Sequence, residues 1–336
     1  AFRYSLQAGL RSWGLFDAQT ACRSLERAQE ISWDHRLEVE NQDRLNLLDG
    51  LGDVYANLGK RDEARSQYEE AMQLVQGQKR LSARLGLKMA ITFQNQAQFD
   101  DAVLWLDRAY ALLQEDMDDA LCSQVYIQYG VIDVMRGNLD DALIWAQRAG
   151  GMESAQYHNL MAVIQRGRDS LGESLAHCDQ AIVLAQKPNN LLDLAKAHTN
   201  RGAVLSQMNR WQEAKQAHEQ ALKVLSTTRD MRMYAATHCN LSDVCRHLGD
   251  LEAALRLAEE SLKLAVALDL HFEEALAHLN LGEALLESGQ PRQARTEHLE
   301  TAQRMLDEQG ITYHRPEVER GVDEHALHAP ASHPGE

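Results

Sequence analysis

An all-α solenoid of about eight helix-turn-helix repeats is the fold this sequence predicts, and three observations carry the prediction. The composition is that of helices: among 336 residues there are 5 Pro and 6% aromatics beside 44% hydrophobic residues, with Ala, Leu, Gln, Glu and Arg recurring throughout. Three late segments, beginning at Ala195, Ala235 and Ala275, superpose without gaps at a spacing of 40. Inside each segment a triplet of small residues recurs at fixed offsets.

The triplet is a packing code. Its first member lies in the first helix of a unit (Gly202, Ser242, Gly282) and its second twelve residues later in the second helix (Ala214, Ala254, Ala294). The third comes seven beyond (Ala221, Ser261, Thr301). Small residues suit the crossing of two antiparallel helices, and a separation of seven places the last two on one helix face, two turns apart. Between the helices lie MNRWQ, LGDLEA and SGQPRQ, where Asn209, Gly249 and Gly289 are expected to end a helix in the left-handed conformation and Pro291 to start the next.

Upstream, the same triplet appears at Gly9/Ala21/Ala28, Gly52/Ala64/Ala71, Ala90/Ala102/Ala109, Gly130/Ala142/Ala149 and Ala162/Ser174/Ala181. Intervals between first members are 43, 38, 40, 32, 40, 40 and 40, so the fourth unit is short, and Gly150-Gly151 truncate its second helix. Tyr68 and Leu25 fill the bulky slot between the second-helix small residues. Residues 1–310 are read as one solenoid in which each unit touches only its neighbours. The segment 311–336 loses the triplet, gains Pro, His and Gly, and is expected to be a poorly ordered tail.

LLDGLGDVYANLGKRDEARSQYEEAM and NLSDVCRHLGDLEAALRLAEESL resemble the tetratricopeptide family, and the resemblance extends over about residues 1–309. It implies a right-handed superhelix with a concave binding groove. The 40-residue spacing is similar to the lengthened units of kinesin light chains and of bacterial signalling ATPases and transcription activators. The opening YSLQAGLRSWGLFDAQTACRSLERAQEI is similar to the first repeat after the nucleotide-binding module of such regulators. With no Met at position 1 and no GxxxxGK[ST] loop, an adjoining NTPase module is expected outside this chain.

A net charge of −16 and a pI near 5.3 disfavour a nucleic-acid partner, because phosphate contacts need clustered Lys and Arg. No apolar run reaches the length of a membrane span, and the first residues lack a signal peptide's charged head and apolar core. Five cysteines without CxxC spacing indicate neither disulfides nor zinc and fit a reducing cytoplasm. His158, His198, His238 and His278 recur in matching first-helix positions, but helices packed 8–10 Å apart do not bring two of them to one ion. Asp100/Asp101 and Asp140/Asp141 read as N-terminal charges of second helices. No cofactor, metal or catalytic constellation is indicated. Trp13, Trp33, Trp105, Trp145 and Trp211 fall at differing places and read as core or hinge residues.

The functional expectation rests on the first helices, which line the concave side. Units two and three present Asp49, Asp53, Arg84, Lys88, Gln94 and Asn95, among others. Unit four presents Gln128 beside an apolar patch of Ile127, Val131, Val134 and Met135, with Val163 following. Units six to eight place Asn200, Asn240 and Asn280 in strict register, with Asp243, Arg246, Glu283 and Glu287 nearby. An amide offers both donor and acceptor and can pair with a peptide main chain; the alternative is a helix-helix hydrogen bond inside the solenoid. In kinesin light chains such asparagines hold peptide backbones, which the resemblance implies here. The expected function is therefore a non-enzymatic scaffold for a protein or peptide with basic residues near the Asp243/Glu283 end. The alternative is a small-molecule-sensing region of a signalling ATPase or transcription activator.

Overall fold

The computed structural model describes residues 1–15, 17–34, 38–114, 120–151, 154–186, 190–228 and 230–308, and among these every regular element is helical. The segment expected to form a tail, 311–336, lies outside the described residues. The helices form antiparallel pairs: α1 (Phe2–Gly14) with α2 (Ala18–Asp34), α3 (Asn41–Asn57) with α4 (Arg61–Leu74), and α5 (Lys79–Gln94) with α6 (Phe99–Leu113). Then follow α7 (Ala120–Met135) with α8 (Leu139–Ala149), α9 (Ala155–Gly167) with α10 (Leu171–Ala185), and α11 (Leu191–Gln207) with α12 (Trp211–Thr228). Next come α13 (Met231–His247) with α14 (Leu251–Ala267), and α15 (His271–Glu287). The partner of α15 is composite: α16 (Pro291–Gln293), a π-helical segment Ala294–Leu299, and α17 (Glu300–Glu308).

The turns inside the pairs obey one rule. Gly59, Ala97, Gly137, Asp169, Asn209, Gly249 and Gly289 all have positive φ, between 57° and 81°. The next amide reaches back five residues, as in Lys60 N to Tyr55 O at 2.9 Å and Asp250 N to Cys245 O at 2.9 Å, which satisfies a carbonyl the helix end leaves free. Two residues on, the second helix begins with its carboxylates in the first turn, Asp100/Asp101 and Asp140/Asp141 among them.

Small residues of the triplet are buried where helices cross: Ala64, Ala102, Ala142, Ser174, Ala214 and Ala254 are fully inaccessible. Serines at these places donate to carbonyls across the crossing, Ser174 to Ala162 O at 2.6 Å and Ser242 to Ala254 O at 2.7 Å. Leu25 and Tyr68 fill the bulky slot, 0% and 2% exposed, against Gly9 and Gly52. As the glycine pair predicts, α8 is short, 11 residues against 14–18 for α4, α6, α10, α12 and α14.

Two expectations are corrected. In the eighth unit the third small residue is Ala302, 1% exposed, and not Thr301, and Leu299 fills the bulky slot against Gly282 where the register of other units would place His298. The π-helical segment Ala294–Leu299 holds one extra residue and rotates everything after it by one position. The second correction concerns neighbours. Arg61, at the start of α4, donates to Leu268 O at 2.6 Å and to Asp269 O at 3.0 Å, residues 207 and 208 positions away in the α14–α15 loop. The superhelix turns far enough that unit two meets the junction of units seven and eight, closing a ring that nearest-neighbour stacking alone does not contain.

Candidate functional site

Ring closure turns the concave face from a groove into a partly open central cavity of about 520 Å³. One wall is apolar and comes from α5 and α7: Leu87 and Ile91, then Ile127, Val131, Val134 and Met135. Leu87 is buried, but Ile127, Val131 and Val134 are half-buried and Ile91 and Met135 are 38% and 37% exposed, because no further helix covers the inner layer. A second wall is rich in carboxamides, among them Gln124, Gln128, Gln156, Asn159 and Asn200. Asp193 and Lys196 at the start of α11 adjoin the carboxamides, Asn159 donating to Asp193 O at 3.1 Å, and the opposite side is built from helix starts further round the ring: Arg232 and Met233 of α13, and His271, Phe272 and Glu273 of α15.

Gln94 is the most informative lining residue. It is 9% exposed, its Nε2 meets only the sulfur of Met135 at 3.5 Å, and its Oε1 has no partner among the described residues. A buried carbonyl oxygen without a donor costs about 1–3 kcal/mol, a debt that an N–H group entering the cavity removes. Burial also pushes the Asp193 carboxyl up, against Lys196 and hydrogen bonds from Gln156 and Asn190. The same desolvation raises Glu273, opposed mainly by Arg232. The described lining contains no Ser, Thr or Cys, so the cavity offers hydrogen bonds, charge and apolar area but no hydroxyl or thiol nucleophile.

The residues singled out in the sequence divide into two groups. Ile127, Gln128, Val131, Met135 and Asn200 line the cavity together. Asn240, Asn280, Asp243, Arg246 and Glu283 are not part of its lining. Asn280 is 4% exposed and donates to Cys239 O at 2.7 Å, forty-one residues back in the preceding unit. Asn200 makes the equivalent but looser contact to Asn159 O at 3.5 Å, and Asn240 is half-buried. Asn200 and Asn280 thus tie first helices together, tightly at Asn280. Arg246, 7% exposed, lies among Asp243 at 2.9 Å, Glu283 at 3.1 Å and Glu287 at 2.5 Å. Burial works to lower its pKa, and the carboxylates more than offset that and raise it. Charges assigned to a basic partner are in large part committed to this arginine.

At the other end of the inner layer, Lys88 bridges Asp49 and Asp53 at 2.6 and 2.7 Å, and Arg84 holds Asp49 at 2.9 Å. Three of the four recurrent histidines pair inside their own units: His158 with His177 and His278 with His298, each Nδ1 to Nδ1 at 2.9 Å, and His238 with Glu260 at 3.2 Å. Among the described residues, no three His, Cys, Asp or Glu side chains are placed to hold a metal ion. No helix in the described residues is long and apolar enough to cross a membrane.

Two tetratricopeptide-repeat family models match the sequence, over residues 44–76 and 233–307, the second spanning two of the 40-residue units. The chain carries tetratricopeptide repeats. A bovine (Bos taurus) tonsoku-like protein is 30% identical over 118 residues, 35% of this chain and 9% of that protein's length. Among solved structures, a Rap protein complexed with competence and sporulation factor superposes with a TM-score of 0.58 at 16% identity, covering 96% of this chain and 99% of that one. The STAND protein with a tetratricopeptide-repeat sensor from Pyrococcus horikoshii gives 0.54 at 11% identity, covering 91% and 52%. Yeast Tom70 gives 0.55 at 18%, covering 90% and 67%. At these identities the likeness establishes the fold.

Asp193, Arg232, Phe272 and Glu273 were not singled out in the sequence; the last three join the site only after the superhelix has turned, whereas Asp193 meets Asn159 of the adjacent unit. Arg61 did leave a signal. Units three to seven begin their second helix with Phe99, Leu139, Leu171, Trp211 and Leu251, and unit two puts a charge there.

Proposed function

We propose that this tetratricopeptide-repeat chain is a non-enzymatic protein-interaction scaffold that holds an extended peptide segment of its partner in the ring cavity. One observation carries the reading. An uncovered apolar wall stands beside a bank of carboxamides, and one of these, Gln94, has a buried oxygen without a donor. A peptide main chain presents alternating donors and acceptors that such amides match, while an apolar side chain buried on Ile127 and Val131 gains about 25 cal/mol per Å². The Rap protein's complex with competence and sporulation factor and the sensor named in the Pyrococcus horikoshii protein are relatives in fold that support a ligand-holding role. In this reading the chain serves as the sensing region beside a nucleotide-binding module in cytoplasmic signalling. A basic group on the partner meets two acids, the buried Asp193 and the half-buried Glu273.

The test is panning a display pool of linear, unstructured peptides against the intact chain, then repeating retention with Ile127→Asp and Val131→Asp. Retained peptides that both variants lose, with helical content unchanged, support the site. Retention unaffected by both variants sinks it. Cavity size favours a second reading, a small molecule, since about 520 Å³ falls in the ~300–1,000 Å³ range of ligand pockets. A wild-type chain that retains no peptide but gives saturable heat with a small-molecule pool supports that alternative.

A further inference from the structure

We infer that the solenoid is a latched ring, and that the contact of Arg61 with the α14–α15 loop gates the central cavity. What enters rests on the peptide-binding reading above; how the ring closes does not.

Arg61 is placed against the preference of its own helix. It is the first residue of α4, where the dipole disfavours a cation, and it is only 5% exposed. Its guanidinium instead reaches the end of α14. Nη2 donates to Leu268 O, and Nη1 to Asp269 O and to Asp269 Oδ2 at 3.2 Å. Carbonyls just past a helix C-terminus lack intrahelical donors, and a planar fork is the group that satisfies two neighbouring ones.

Gly59 makes the approach possible. A Cβ added there would lie 3.0 Å from Leu268 Cα and 3.2 Å from Leu268 O, so the two backbones are in contact. Gly249 occupies the same turn position at nearly the same φ, and nothing lies within 4 Å of its added Cβ. The left-handed turn therefore needs a small residue in both units, but only in unit two does the missing side chain let another unit in.

The latch adjoins the cavity. Gln96, a lining residue, donates to Asp269 Oδ2 at 3.4 Å, and His271, on the opposite wall, lies 3.3 Å from Asp269 Oδ1. Elsewhere successive units share buried apolar cores, whereas this seam is made of one arginine, one glycine and a few polar contacts. Opening it leaves each unit's core intact, which makes it the place where the ring yields first. With the seam shut, a thin unstructured segment can pass along the ring axis. A folded domain or a loop anchored at both ends needs the seam to open. An occupant touching both walls in turn holds the ring shut, since the coupling is reciprocal.

The experiment uses the full chain, whose described cysteines are all buried. Nitroxides on Glu69→Cys and Lys263→Cys, both exposed, report the distance across the seam by double electron-electron resonance. A long polyethylene-glycol maleimide reacting with Val131→Cys reports access to the cavity. Gly59→Ala and Arg61→Ala are expected to lengthen and broaden the distance and to speed modification by about tenfold or more, as a lost closing contact would. Gly249→Ala bears the same cost at its turn and should change neither. Arg61→Lys, which keeps the charge and loses the fork, should fall between. Wild-type distances and modification rates in both Gly59→Ala and Arg61→Ala, at unchanged helical content, would overturn the latch. A wild-type chain that retains no peptide defeats the peptide reading alone, because neither measurement here uses one.

Discussion

The imidazole of His218 occupies the space that any side chain on Gly202 would need: a Cβ added at Gly202 would lie 2.5 Å from His218 Cε1 and Nε2. Gly202→Ala must therefore push α11 and α12 apart or drive His218 from a fully buried site, and it should cost about 1–3 kcal/mol. Gly172, in α10, has nothing within 4 Å of an added Cβ and no positive φ. There the alanine only restricts the unfolded chain, and Gly172→Ala should stabilise by about 0.4–1 kcal/mol. Urea melts of the two variants check both signs.

His218 is also an electrostatic liability. It is 0% exposed with neither ring nitrogen bonded, and its pKa is lowered to about 4, by burial first and by Arg166, with Asp243 acting the other way. An unfolded histidine titrates near 6.5, so between about pH 6.5 and 4 the unfolded chain takes up a proton that the folded chain refuses. Stability must fall with pH across that window, by up to about 3 kcal/mol from this residue. Burial lowers His177, His198, His238, His278 and His298 in the same direction. Since Leu25 and Leu299 fill the same slot in other units, His218→Leu should raise stability at neutral pH and flatten the acid slope by up to one proton. Melts between pH 4 and 7 measure both.

What was legible in the sequence is what repeats. The triplet, the left-handed turn residues and the slot residues Leu25 and Tyr68 follow from contacts within a unit or between adjacent ones, so a single register gave them. The unit-four part of the apolar wall, Ile127, Val131, Val134 and Met135, was legible for the same reason, whereas Leu87 and Ile91 were not singled out. Asn280 shows where that logic stops: its position in the file cannot distinguish an amide facing a partner from one facing Cys239 O, because both fit the same helix face. Arg61 and Asp269 owe their meeting to the summed rotation of five units, which no local pattern encodes.

Arg246 should be a centre of stability. Removing it leaves Asp243, Glu283 and Glu287 facing each other, with Glu283 only 7% exposed. Breaking a buried pair in this way costs about 3–5 kcal/mol, so Arg246→Met should destabilise by that order at pH 7. The sign of the pH dependence then reverses locally. In the variant, burial and like charge raise the folded pKa of Glu283 above its unfolded value, so the loss shrinks as the pH falls toward the ordinary carboxylate range. Comparing urea midpoints of wild type and variant at pH 5 and 7 tests this; a gap that widens in acid contradicts it.

The π-helical segment makes the last prediction, because its extra residue breaks the register within the eighth unit. Elsewhere the slot residue follows the first-helix small residue by sixteen, as Leu25 follows Gly9, Tyr68 follows Gly52 and His218 follows Gly202. In the eighth unit Leu299 follows Gly282 by seventeen. Deleting Thr296, which is exposed and bonds only to Arg292 O, removes the surplus. Leu299 then stands at sixteen, and Ala302 takes the place that Ala221 and Ser261 hold. His298 falls fifteen after Gly282, as His177 falls fifteen after Ala162, so its pairing with His278 is retained in the geometry of the His158–His177 pair. The shortened segment should close as a regular α-helix, with stability within about 1 kcal/mol of wild type or above it, since no buried contact is lost and a strained backbone stretch is removed. Deleting exposed Glu259 from α14 shifts Ser261 and Ala265 off the buried face and should cost several times more. Equal losses in the two deletions would mean that the π-helical segment is a fixed part of the eighth unit rather than one residue too many.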